Sequence, residues 1–320
     1  MKKIGLLLLL SLAIAAQAQQ AASTPAEETA ADGTLLTTTT FPFERVETPT
    51  ATDMYCAGFI SHDLLPNSNY VAGGLESPGT SKFVKGDVVF LTGSSYQPGQ
   101  QFTVLRELVD PNKYELFAGQ HSMLKAAGQP YYEVGRVQVL DARHKTAVAR
   151  VNFSCDPVNP GDILVPFVEK PAIAFHPPAR FDRMALANGK VGGRILMAKD
   201  FDGELANGAK VYLNVGGNQG VKIGDYFRAV RSYTADLKDP VDSLSFKAST
   251  SEDTQKKQPS IDPKLLTKTN GPTIHVSDFP RRAVGELVII GTTPTTATGM
   301  IVFAMEDIHV GDAVELDEQQ

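Results

Sequence analysis

Short runs in which apolar and polar residues alternate recur along this chain. Each is bounded by Gly, Pro, Asn or Asp. GDVVFLTG, QFTVLREL, YYEVGRVQVLD, TAVARVNFSC and GDILVPF show the pattern in the first half. Alternation with a period of two sends one set of side chains to a buried face and the other toward solvent, and the flanking turn residues keep each strand short. The pattern predicts a mainly β chain built of small barrels or sandwiches. One stretch, 112–127, departs from the alternation and reads as a helix.

The pattern then repeats. Residues 135–162 (GRVQVLDARHKTAVARVNFSCDPVNPGD) align without a gap with residues 285–312 (GELVIIGTTPTTATGMIVFAMEDIHVGD), 150 positions later. Gly135/Gly285, Thr146/Thr296, Ala147/Ala297, Phe153/Phe303, Gly161/Gly311 and Asp162/Asp312 are identical, and Val137/Leu287, Val139/Ile289, Val151/Ile301 and Val158/Ile308 keep their apolar character. Upstream, Val89-Phe90-Leu91 answers Val211-Tyr212-Leu213, while Gly99, Phe102 and Arg106 answer Gly224, Phe227 and Arg231. Two copies of one unit indicate a duplicated fold. The expected organisation is a β module at 55–168, a Pro-rich connector at 171–189 and a second β module at 190–317. The connector's stiffness is expected to fix the spacing of the modules. The second module carries a polar insertion at 234–280, expected to be a disordered surface loop. The repeat positions Gly135, Gly161, Asp162, Gly285, Gly311 and Asp312 read as structural. Glycine supplies the positive φ of a tight turn, and the aspartate side chain bonds nearby backbone. Arg106 and Arg231 are matched too, and are expected to cap or brace a strand rather than bind substrate.

The start of the chain alters the compartment. Lys2-Lys3, the apolar run 4–16 and Ala16-Gln17-Ala18 have the form of a signal peptide, so residues 1–18 are expected to be removed. Residues 19–50, rich in Ala, Thr, Glu and Pro, are expected to form a disordered linker. No later run approaches ~18 apolar residues, so no transmembrane segment is expected in the mature chain. The protein is expected to be periplasmic or secreted. In an oxidising compartment the two cysteines, Cys56 and Cys155, are expected to pair as a disulfide within the first module. Met305 stands where the second copy would match Cys155, so the bridge belongs to one copy only.

Candidate chemistry adds little. The net charge is −6 with no Lys/Arg run, which speaks against a nucleic-acid partner. Trp is absent, which weakens the case for sugar stacking on indole. His62, His121, His144, His176, His275 and His309 share no metal-ligand spacing. Asp141-Ala142-Arg143-His144 answers Gly291-Thr292-Thr293-Pro294, which reads as a hairpin turn. Residues 215–220 (VGGNQG) lack the G-K-[ST] ending of a phosphate loop and read as a β-turn. No G-x-S-x-G element is present. No catalytic residue, metal or cofactor is expected.

The grammar of the second copy is Gly224-x-x-Phe227-x-x-x-Arg231, then Val284-Gly285-x-Leu287, then Ile308-x-x-Gly311-Asp312. The first copy has Gly99, Phe102, Arg106, Val134-Gly135 and Val158-x-x-Gly161-Asp162. This grammar resembles the small C-terminal β-barrel domain of flagellar assembly protein T, a periplasmic protein of sheathed-flagellum basal bodies. It also resembles envelope proteins in which such a domain accompanies a peptidoglycan-binding LysM module. The chain departs from both in having two tandem copies and no recognisable LysM segment. The resemblance implies a β-barrel fold and an envelope location. The expected function is non-catalytic: binding or scaffolding of another, unknown envelope protein through two similar modules. One alternative is a protein that binds cell-wall glycan, either peptidoglycan or exopolysaccharide. A second is an enzyme with a site at the module interface.

Overall fold

The computed structural model describes residues 48–75, 81–111, 113–143, 145–174, 181–232 and 280–317. The expected signal peptide, the linker up to residue 47 and the insertion up to residue 279 lie outside the described residues, as do His144, His176 and His275.

The first elements among the described residues are a one-turn helix, α1 (Ala51–Tyr55), and a short strand, β1 (Phe59–Ser61). Thr50 caps α1: its Oγ1 accepts from Asp53 N–H, and the Asp53 carboxylate accepts from Thr50 N–H in return. The first barrel comprises β2 (Tyr70–Gly74), β3 (Val88–Thr92), β4 (Gln101–Glu107), β5 (Gln129–Asp141), β6 (Ala147–Ser154) and β7 (Ile163–Pro166), with α2 (Gln120–Ala127) between β4 and β5. The second comprises β8 (Gly192–Ala198), β10 (Lys210–Leu213), β11 (Tyr226–Arg231), β12 (Arg282–Thr292), β13 (Ala297–Ala304) and β15 (Ala313–Leu316), with the short strands β9 (Glu204–Leu205) and β14 (Ile308–His309) paired beside it.

The two rings have one topology. Barrel 1 runs β3-β6-β5-β4-β7-β2, and barrel 2 runs β10-β13-β12-β11-β15-β8. Every neighbouring pair described is antiparallel. Closure leaves no free sheet edge inside either ring. Even the irregularities recur. The β4–β5 register shifts at Val104/Leu105 and the β11–β12 register shifts at Ala229/Val230. Gly135 and Gly285 stand beside these shifts, where an added Cβ would come within 2.5 Å of the Phe153 and Phe303 carbonyl oxygens. Only glycine allows that approach without backbone movement.

Period-two alternation fills the interiors. Val71, Val89, Leu91, Phe102, Val104, Val137, Val139, Val151 and Leu164 pack inside barrel 1. Ile195, Val211, Leu213, Phe227, Leu287, Ile289, Ile301 and Val314 pack inside barrel 2. The matched Phe102 and Phe227 are 2% and 0% exposed, which explains why both copies keep a phenylalanine there.

The helix read at 112–127 begins only at Gln120. Gly119 precedes it with φ +84°, and the Glu115 carboxylate accepts from the N–H groups of Gly119 and His121. That carboxylate takes donors the helix would otherwise leave unbonded, and so fixes the start of the helix late.

Candidate functional site

The residues singled out in the sequence separate into two groups. Cys56 and Cys155 form the expected disulfide, with Cα atoms 5.7 Å apart. The repeat positions form a brace in each barrel. In barrel 1, Arg106 Nε and Nη2 donate to the two Asp162 carboxylate oxygens at 2.8 Å each, and Nη2 also donates to Pro157 O at 2.9 Å. In barrel 2, Arg231 Nε and Nη2 donate to Asp312 at 2.9 and 2.7 Å, and Nη2 also donates to Asp307 O at 2.7 Å. The aspartates also close their own turns. Asp162 Oδ2 accepts from Asn159 N–H and Asp312 Oδ2 accepts from His309 N–H, each at 2.7 Å. Gly161 and Gly311 supply φ of +94° and +104° just before them. Each aspartate is bonded to the arginine of its own barrel. The polar positions shared by the two copies therefore tie β4 to the turn before β7, and β11 to the turn before β15.

The two hairpin turns and the glycine-rich stretch have structural roles. Residues 141–143 and 291–296 lie in the β5–β6 and β12–β13 hairpins. In the glycine-rich stretch, the N–H groups of Gly217 and Asn218 donate to Thr293 O and Pro294 O. Those donors hold the neighbouring hairpin and do not converge on a phosphate-sized site. Among the described residues, no group of three or more His, Cys, Asp or Glu side chains is arranged to hold a metal ion.

The sequence reading missed the seam between the barrels. The segment from α1 through β1 lies between the two rings. On one side β1 pairs antiparallel with β5, Phe59 opposite Tyr131. On the other, barrel 2 reads its carbonyl oxygens through three hydroxyls. Tyr212 OH donates to Ala57 O at 2.7 Å, Thr298 Oγ1 to Gly58 O at 2.9 Å and Thr296 Oγ1 to Ile60 O at 2.7 Å. Gly58 is required between them, because a Cβ would come within 2.8 Å of the Tyr212 hydroxyl, and its φ is +74°.

Ion pairs pin the same segment. Lys170 Nζ bonds Glu133 at 2.7 and 2.8 Å and Met54 O at 2.6 Å, and Lys210 Nζ lies 2.6 Å from Asp53. The Glu133 carboxylate also accepts from Gly58 N–H. Apolar packing completes the seam. Met54 and Ala57 cover Tyr226, Val288, Ile290, Met300 and Val302 on the outer face of barrel 2, together with Ile173 and Phe181 of the connector. A second bridge comes from the excursion before β5. Phe117 joins the barrel 2 core, and Gln120 Nε2 donates to Leu196 O at 3.0 Å. Direct packing thus helps to set the spacing of the barrels.

One signal for this seam exists in the sequence. On β12 and β13 the outward positions are Val288, Ile290, Met300 and Val302, all at most 2% exposed. Their counterparts in barrel 1 are Gln138, Leu140, Arg150 and Asn152. A strand apolar on both faces is covered on both faces.

No protein-family model matches the chain, and comparison with curated proteins finds no matching relative.

Proposed function

We propose that this chain is a non-catalytic exported envelope protein that binds or scaffolds another envelope component, presenting its two barrels as one body. The observation that supports this most is the use of the repeated polar residues. Arg106, Asp162, Arg231 and Asp312 are bonded to one another in pairs and to adjacent backbone, so the duplication preserves braces. Function resides in sites rather than folds, and here the shared polar set serves the fold. The disulfide fits an oxidising compartment. The resemblance to the C-terminal domain of flagellar assembly protein T and to LysM-associated envelope proteins favours the same location.

A partner protein is preferred over glycan because Trp, whose indole stacks on sugar rings, is absent from the sequence. Parallel sedimentation of the purified, oxidised mature chain separates the two. The chain is expected to pellet with envelopes that retain their proteins and to stay in the supernatant with protein-free cell wall. Saturable pelleting with protein-free wall shows the glycan reading to be the correct one.

A further inference from the structure

The two barrels differ sharply at one equivalent position on their outer faces. In barrel 1 it is Arg136, whose guanidinium lies 3.9 Å from the ring centroid of Phe167 and 5.0 Å from that of Tyr55. In barrel 2 the three corresponding changes occur together. Arg136 is replaced by Glu286, Phe167 by Asp317 and Thr103 by Arg228. A cation held by aromatic rings gives way to two carboxylates and one arginine.

Glu286 is 7% exposed, and its Oε2 has no hydrogen-bond partner. Arg228 stands opposite it across the β11–β12 pair. Yet Arg228 Nη2 donates to both Asp317 oxygens at 2.7 Å, and Arg228 Nε, also buried, has no partner. A buried acceptor and a buried donor face each other across the register with no bond between them. Arg228 spends its bonds on Asp317, and burying the Glu286 carboxylate in charged form without a bonded partner is costly. Among the described residues, the neighbouring charges are engaged elsewhere. Glu315, opposite Arg228 on β15, is held by Arg281 at 2.6 and 2.8 Å, while Glu306 is held by Arg183 and Arg282. The β13 residue opposite Glu286 is the uncharged Phe303.

We propose that Glu286 is a proton-binding switch that decides which carboxylate holds Arg228, and so whether the bond from Arg228 to Asp317, just after β15, persists. With Glu286 protonated, Arg228 grips Asp317, whose N–H donates to Tyr226 O at 2.8 Å. With Glu286 ionised, its carboxylate repels Asp317 and draws the free Nε of Arg228. Burial is the main cause that pushes the Glu286 carboxyl up to about 7, the Asp317 charge adds to the shift, and Arg228 opposes it. The folded state therefore holds a proton that the unfolded chain releases near the ordinary value of 4.5. Between these values, rising pH works against the fold at this site, and the Asp317 contact is present below the window and lost above it.

Amide exchange of the full mature, oxidised chain, corrected for intrinsic rates, tests the switch. Protection of the peptide containing Asp317 is expected to fall about tenfold as pH rises from about 5.5 to about 8.5, because one to two units of proton linkage are worth at least that factor. Glu286→Gln is expected to abolish the step and keep protection high at both ends. A flat profile in the unaltered chain, or a step that survives Glu286→Gln, overturns the proposal. Should that variant not fold, carboxyl-carbon NMR of the unaltered chain decides. A Glu286 midpoint near about 7 supports the switch, and titration of Glu286 near the ordinary value of 4.5 removes it.

Discussion

Cys155→Ser lowers the unfolding free energy of the oxidised chain by about 3–5 kcal/mol, as expected for a disulfide that closes a loop of this length. The bridge spans 99 residues of sequence. Cross-linking so long a loop removes much of the freedom of the unfolded chain, and the folded geometry of the bridge is unexceptional. The loss also has a direction. Cys56 immediately precedes Ala57, Gly58 and Ile60, whose carbonyl oxygens receive the Tyr212, Thr298 and Thr296 hydroxyls. Without the bridge, the segment between the barrels loses its covalent tie and keeps those bonds, its β1–β5 pairing, its ion pairs and its packing. Denaturant unfolding of the oxidised chain, the reduced chain and the serine variant measures the effect. The last two should agree, and amide exchange should quicken first at α1 and β1. An unchanged midpoint in the serine variant would show that the bridge is incidental to stability.

Arg231→Met costs about 3–5 kcal/mol, the range for leaving a buried carboxylate without its partner. Arg231 is 3% exposed and its partner Asp312 is 1% exposed. The corresponding change in barrel 1, Arg106→Met, costs less. The Arg106 side chain is 32% exposed, so water reaches one end of the pair and relieves part of the charge left on Asp162. The double change Arg231→Met with Asp312→Asn costs less than Arg231→Met alone, because no bare charge remains. The three variants compared with the unaltered chain by denaturant unfolding test the idea. Equal costs in the two barrels would contradict the assignment of the larger effect to burial.

The parts of the fold that depend on local chemistry were legible in the sequence. Alternation placed Phe102 and Phe227 inward, and glycine before aspartate placed the turns at 161–162 and 311–312. The Arg231–Asp312 bond was not legible as a bond, because 81 residues separate the partners and only their matched occurrence links them. The disulfide was legible because two cysteines, with export expected from the start of the chain, leave a single intramolecular pairing. The seam was not read. Thr296 and Thr298 look like ordinary solvent-facing strand residues until a second backbone is laid beside them. Glu286 was equally hidden, since its burial comes from tertiary packing and no sequence rule marks it. The double-faced apolar run LVII in β12, against VQVL in β5, was the one available sign that barrel 2 is covered on its outside.

Cross-linking of the intact chain in the envelope, its proposed location, tests binding most directly. A single saturable adduct with one envelope component is predicted, formed at constant ratio as cross-linker increases and retained in Glu286→Gln. Recovery of the chain alone at every dose, together with a turnover activity that Asp312→Asn abolishes in a still-folded chain, would contradict it.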